Sequence, residues 1–324
     1  MRRTPLMALP CLVLSAALAL AGCSGSGDAA ASATASSTAQ VTAGVDCSAE
    51  AIETDSAALP QVAGDPGTQP SLTWTGQAAP EALTVKTLTE GTGATIEQQS
   101  DVVAVSYSGW QWDGTEPFDS SYSGGRPAAF ALNAVIPGWT CGLMGHAAGD
   151  RLLMSIPADM AYGDDASTDR PTGTLVFVVE VTEVFNSESV AAATAGAMME
   201  GEQALADRGI ALSGDLGAAP TISVNAGAAE PTAVEVIVVA RGTGTPVAAD
   251  STLITHMAYI PWDDSEMQSS WELGEVQPLD MTQATGMEGL VGVPAGSRVV
   301  LLQPANPATG SSAAAWVMDI AAVL

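Results

Sequence analysis

Four segments of this 324-residue chain recur in the same order further along it, and such a recurrence limits the fold more than any other feature. VAGDPGTQPSLTW (62–74) returns as LSGDLGAAPTISV (212–224), and PEALTVKTLTEGTG (80–93) as PTAVEVIVVARGTG (231–244). GLMGHAAGDRLLMSIP (142–157) returns as GLVGVPAGSRVVLLQP (289–304), and TLVFVVEVTEVF (174–185) as AAWVMDIAAVL (314–324). The offset drifts from about 150 to about 139, as short loop deletions would produce. Chance similarity in an Ala/Gly-rich chain does not keep four matches in order. Two homologous domains are therefore expected.

Within each copy the pattern is that of strands. VVAVSYSGW and TLVFVVEVTEVF are β-branched runs, and GTG, WDGTE and GDD between them are turn chemistry. One short helix is indicated in the first copy, with Pro137 at its start and Gly145 past its end. Many strands around one helix predict an α+β fold, an antiparallel sheet curled around that helix and present twice in tandem.

Thirty-six acidic residues against nine basic ones leave a net charge of −27. Such a surface repels nucleic acid and anionic headgroups, so no nucleic-acid partner is expected. Past residue 22 no uncharged apolar run of about 18 residues remains, so no spanning helix is expected either.

Residues 1–22 carry Arg2 and Arg3 ahead of an apolar run and read as a signal peptide. The run ends in LAGC, which resembles the lipobox of bacterial lipoproteins, with Cys23 as the lipidated residue. An ordinary cleaved secretory peptide is the other reading. A lipid would hold an acidic protein to a membrane that its charge cannot grip. Residues 23–46, rich in Ser, Ala, Gly and Thr, read as a disordered tether reaching roughly 25–30 Å. The folded parts are then 47–186 and 211–324, with 187–210 read as a linker. Of four cysteines, Cys11 leaves with the signal and Cys23 is spent on lipid. Cys47 and Cys141 remain as a pair in an oxidising compartment, and a bridge between them is the favoured reading. The alternative is a buried apolar Cys141 and a free Cys47 thiol.

Common catalytic constellations have little material here. The two histidines, His146 and His256, stand far apart in repeat register, so neither a catalytic triad nor a histidine-rich metal site is expected. GDD (163–165) and WDD (262–264) lack the ligand spacing of a calcium loop, and no phosphate-binding or dinucleotide motif follows a predicted strand. No metal and no cofactor are expected.

The first copy does hold VSYSG, PFDSS, FALNAVIPGW, GLMG…GDR, IPADMAYG and TLVFVVEV in succession. Residues 80–186, which carry them, closely resemble the FKBP-type peptidyl-prolyl isomerases. The resemblance implies a proline pocket with Trp139 as its floor and Tyr107, Phe118 and Phe177 as walls. It implies that Val135 and Ile136 line the pocket and that the Ile136 N–H and the Tyr162 hydroxyl hold substrate carbonyls. Asp119 is implied to stand near the twisting amide, tied to the Tyr107 hydroxyl. Catalysis would fall to Tyr107, Asp119, Trp139 and Tyr162. Two departures stand out: Ala128 replaces an aromatic wall, which leaves that side more open, and GDDASTDRPTGT (163–174) looks short.

The residues agree with that chemistry. Rotating an X–Pro bond needs no nucleophile and no metal, only a lower barrier than the roughly 20 kcal/mol set by amide resonance. In the second copy Met257, Met267, Gln268, Gly286 and Thr309 replace Tyr107, Phe118, Asp119, Trp139 and Tyr162, and only Trp316 stays aromatic, opposite Phe177. That copy reads as a degenerate FKBP-like domain. The whole chain thus reads as a membrane-anchored extracytoplasmic isomerase acting on proline-containing polypeptide clients and assisting the folding of secreted proteins. A noncatalytic holdase using the same groove and a structural envelope protein remain as alternatives.

Overall fold

A computed structural model describes residues 44–49, 51–167, 169–263, 266–307 and 310–324. The signal peptide, Cys23, most of the tether and Thr309 lie outside the described residues. Among the described residues, no helix is long and apolar enough to cross a membrane.

The first domain is built from β1 (Gln61–Ala63), β2 (Ser71–Thr73), β3 (Thr84–Thr89), β4 (Val102–Gln111), β5 (Asp119–Ser120), β6 (Ala128–Ala131), β7 (Arg151–Ile156) and β8 (Leu175–Phe185). Its antiparallel sheet runs β3-β7-β8-β4-β5, with β6 also on β4. Helix α1 (Pro137–Leu143) lies in the curl. Pro137 supplies the fixed φ of a first helical position, and Gly145, at φ 82°, lets the chain turn away beyond the end. Two glycines set how deep the helix sits. A Cβ at Gly138 would collide with Ile156, and one at Gly142 with Met154, both on β7. The helix backbone therefore rests directly on the sheet and buries Trp139, Cys141 and Leu143.

Residues 187–210, read above as a linker, are folded onto the second domain. Helix α2 (Ser187–Thr194) starts at a capping box in which Asn186 and Ser189 exchange hydrogen bonds of 2.9 and 3.0 Å. Its Thr194 hydroxyl donates to the buried Asp319 carboxylate at 3.3 Å. Next come β9 (Met198–Met199) and α3 (Glu202–Asp207), whose Leu205 is buried in the second domain's core. Apolar packing and a sheet partner make this stretch part of the domain.

The second domain continues with β10 (Ile210–Ser213), β11 (Thr221–Val224), β12 (Glu235–Arg241), β13 (Thr252–Pro261), β14 (Gln268–Ser269), α4 (Ser270–Leu273), β15 (Gln277–Asp280), β16 (Ser297–Gln303) and β17 (Ala314–Val323). Its sheet runs β9-β12-β16-β17-β13-β14, with β15 on β13. Without β9 this is the first domain's order, strand for strand. Even the bulges recur, at Ala104/Val105 and again at Ile254/Thr255.

The repeated Gly-Asp-x-Gly turns now have a physical role. In each domain the first hairpin covers the outer face of the sheet and is latched by a buried arginine. Arg151 pairs with Glu180 at 3.1 Å and donates to the Gly64 carbonyl, while Glu180 accepts from the Gly67 N–H. Arg298 pairs with Asp319 at 2.6 Å and donates to the Asp215 and Ala218 carbonyls. Arg298 thereby has an acceptor at every nitrogen, as a buried cation needs, whereas Arg151 Nε and Nη2 make no hydrogen bond and rely on the ion pair. The Cys47 and Cys141 sulfurs are bonded, with Cα atoms 5.3 Å apart, which ties the segment around Cys47 to α1.

Candidate active site

Four rings converge over α1. Trp139, 4% exposed, has Tyr107, Phe130 and Phe177 around it with ring centroids at 5.3, 5.4 and 5.3 Å. All three stand within 13° of perpendicular to the indole, so none lies flat on it. Edge-to-face contacts of this kind fix a ring's plane as well as burying its area. Phe118 closes on Phe177 at 5.7 Å.

Backbone geometry brings the walls together. Gly109 pairs with Phe177 and with Asp119 on either side of β4. A Cβ at Gly109 would stand 2.5 Å from the Phe177 ring and 2.9 Å from the Phe118 ring, so only glycine allows both to close in.

The polar part of the site is small. The Tyr107 hydroxyl donates to Asp119 Oδ2 at 2.6 Å, and Asp119 Oδ1 accepts from the Ser120 N–H at 2.8 Å. Burial, reinforced by the bond to Asp119, pushes the Tyr107 hydroxyl far above the usual tyrosine range, so it stays a donor. Tyr162 stands at the rim, 38% exposed, with the Arg170 guanidinium 5.3 Å over its ring. Burial raises its hydroxyl pKa, Arg170 opposes the rise and the Asp119 charge adds to it. Ile136 is the extended N-cap of α1, and its carbonyl accepts from the Trp139 and Thr140 N–H groups. Val135 and Ile136 are half-buried against the core that holds Trp139.

The structure thus gathers Tyr107, Phe118, Asp119, Val135, Ile136, Trp139 and Phe177 about one helix end, with Tyr162 coupled to them electrostatically. One wall residue escaped the sequence reading. Phe130 lies 5.7 Å from Tyr107 and, two residues on from Ala128 in β6, packs on the same core. Strand alternation was the available signal, since residues two apart share a face. No group of three or more potential metal ligands occurs among the described residues.

The second domain keeps the frame without the pocket. Tyr259 pairs with Trp316 and Gln268 as Gly109 pairs with Phe177 and Asp119. The Met257 N–H donates to Ser270 Oγ as the Tyr107 N–H donates to Ser121 Oγ. In place of α1 there is only a single 3-10 turn, Glu288–Leu290, and Gly286 turns through φ 82° where Trp139 stands in the first copy. Tyr259, at the Gly109 position, packs its ring on Trp316 at 4.7 Å.

A sheet wrapped on one helix, with an aromatic dish and one Tyr–Asp pair, defines the site of the first domain. A family model described as FKBP-type peptidyl-prolyl cis-trans isomerase matches residues 93–182. An FK506-binding protein of Streptomyces anulatus is 36% identical over 121 residues, covering 36% of this chain and 97% of that protein. FkpA of Escherichia coli K12 is 44% identical over 88 residues, 27% of this chain and 32% of FkpA. The crystal structure of FkpA from Escherichia coli covers 32% of this chain and 48% of that one at 39% identity, with a TM-score of 0.30. Through its first domain the chain belongs to the FKBP-type peptidyl-prolyl cis-trans isomerases. The match spans about a third of FkpA's length, and it lies within the first of the two sheet domains.

Proposed function

We propose that the protein is an extracytoplasmic peptidyl-prolyl cis-trans isomerase, held to a membrane by lipid on Cys23 and acting on proline-containing segments of secreted polypeptides. The observation that carries the catalytic part is Trp139 boxed by Tyr107, Phe130 and Phe177 beside the Tyr107–Asp119 hydrogen bond. The prolyl ring rests on the indole between the phenylalanine walls. The Ile136 N–H and the Tyr162 hydroxyl hold the flanking carbonyls. In the twisted amide the nitrogen becomes pyramidal and the carbonyl loses its charge separation, so a dry aromatic dish favours it over the planar form. Lowering the barrier by about 5 kcal/mol gives several thousandfold acceleration without a cofactor. The second domain is read as a degenerate FKBP-like copy, in which Tyr259 packs on Trp316 at 4.7 Å and Gly286 stands at the Trp139 position.

The test is a protease-coupled prolyl-peptide assay on the full chain, with Trp139→Ala as its control. Turnover lost in Trp139→Ala supports the reading. A folded wild type without turnover, still suppressing client aggregation, would replace it with a holdase. Cys23→Ala should free the protein from membranes; retention after a high-salt wash would rule out the anchor.

A further inference from the structure

One wall of the aromatic dish has the second domain at its back. Strand β6 pairs with β4 in the register Val102↔Ala131, Val103↔Phe130, Ala104↔Ala129 and Val105↔Ala128. Side chains alternate across this pair. Ala128 and Phe130 lie with Val103 and Val105 on the core that contains Trp139. Ala129 and Ala131 lie with Val102 and Ala104 in a different cluster, which also holds Ile254, Val276, Ala321 and Ala322 of the second domain. Val102, Ala104 and Ile254 are fully covered there, and Val276 is 1% exposed.

Strand β6 has little else to hold it. It is four residues long, and β4 is its one sheet partner. So short an edge strand is weakly fixed unless its faces are packed. It runs straight into the 3-10 turn Leu132–Ala134 and then into Val135 and Ile136. That turn is gripped from the same side, where Asn133 Nδ2 donates to Glu275 Oε1 at 3.2 Å. Nearby, the Ser187 hydroxyl donates to the Gly274 carbonyl at 3.3 Å, joining the start of α2 to the same loop.

We propose that the second domain positions the pocket of the first: it packs behind β6 and the 132–134 turn, and so sets Phe130, Val135 and Ile136. This rests on the reading of the first domain as an isomerase. It gives the second copy a role that needs no pocket and no client. It also explains why that copy can lose α1 while keeping β13, β15 and β17, which supply the contact.

Val276→Asp in the full chain places a charge in the sealed cluster. Amide hydrogen exchange should rise across 128–136 while β7 and β8 stay protected. On a short prolyl peptide kcat/KM should fall roughly tenfold, mainly through KM, because a binding wall has shifted. Glu275→Ala should show the same pattern weakly, and Glu275→Gln, which retains an acceptor oxygen, should restore it. Unchanged exchange across 128–136 and unchanged kcat/KM in Val276→Asp would overturn the proposal. If Val276→Asp does not fold, the Glu275 pair decides, and equal KM in Glu275→Ala and Glu275→Gln overturns it. A wild type without turnover would defeat the isomerase reading alone, since the exchange measurement still reports the packing behind β6.

Discussion

The Tyr107 hydroxyl meets Asp119 Oδ2 at 2.6 Å, across a corner where β4 and β5 are paired one residue further on, at Ser108 and Ser120. The bond joins a buried residue to an exposed one: Tyr107 is 8% exposed, while Asp119 faces solvent. The carboxylate therefore orients the ring from outside.

Asp119→Ala should leave the Tyr107 hydroxyl buried without its acceptor, at a cost of about 1–3 kcal/mol to the first domain. It should also lower kcat/KM roughly tenfold by loosening the ring. Trp139→Ala should be more severe for turnover, by roughly a hundredfold. Thermal unfolding beside the peptide assay checks both, and full turnover in either folded variant would remove these residues from the mechanism.

Gly109→Ala tests the closeness of the walls. Its Cβ would displace the Phe177 and Phe118 rings while leaving every polar group in place. The expected result is a raised KM and a small loss of stability, about 1–3 kcal/mol for overpacking. An unchanged KM would mean that the two rings do not set the width of the site.

The second domain should be acid-sensitive through His256. This residue is fully covered, accepts or donates at Nδ1 with Ser270 Oγ at 2.9 Å, and lies 5.0 Å from the Trp271 ring in a stacked arrangement. Burial, opposed by the Asp319 charge, lowers its pKa from 6.5 to about 4. Between those values the unfolded chain binds a proton that the folded domain does not. The stability is therefore complete above about pH 6.5 and is lost as the pH falls towards 4, by about 3 kcal/mol in all. Urea unfolding of His256→Gln at pH 7 and pH 4.5 should show a smaller acid loss than wild type. Equal losses would clear His256 of the effect.

The Cys47–Cys141 bond closes a sequence separation of 94 residues. A denatured chain so constrained loses entropy worth on the order of 4 kcal/mol. Thiol titration of residues 24–324 in the native state should find no free thiol before reduction, and reduction should lower the unfolding temperature of the first domain. Rapid native labelling of both thiols would contradict the bond.

The sheet, α1 and most of the site were legible because their signals are strong and local. Val/Ile runs mark β4 and β8, Pro137 and Gly145 bracket the helix, and VIPGW places Trp139 on it. Phe130 escaped because the Ala128 position drew attention to an absent ring, while the ring two residues on shares its face. The domain contact escaped for a different reason. Ala128, Ala129 and Ala131 are chemically alike, so alternation in β6 carries no contrast to show which face meets the core and which meets another domain. In the 187–210 stretch the Asn186/Ser189 cap was readable, but β9 is two exposed methionines whose strand character depends wholly on pairing with β12.

Strand β8 is the last strand of the first sheet to leave the ribosome, yet it lies between β7 and β4. Until residue 185 has been made, β4 can hold only β5 and β6, and β7 can hold only β3. The sheet closes late, through contacts distant in sequence, and such topologies fold in milliseconds to seconds rather than microseconds. Meanwhile Val103, Val105, Leu152 and Met154 wait uncovered. An enzyme of this architecture passes through the same exposed, unfinished state as the chains it would serve.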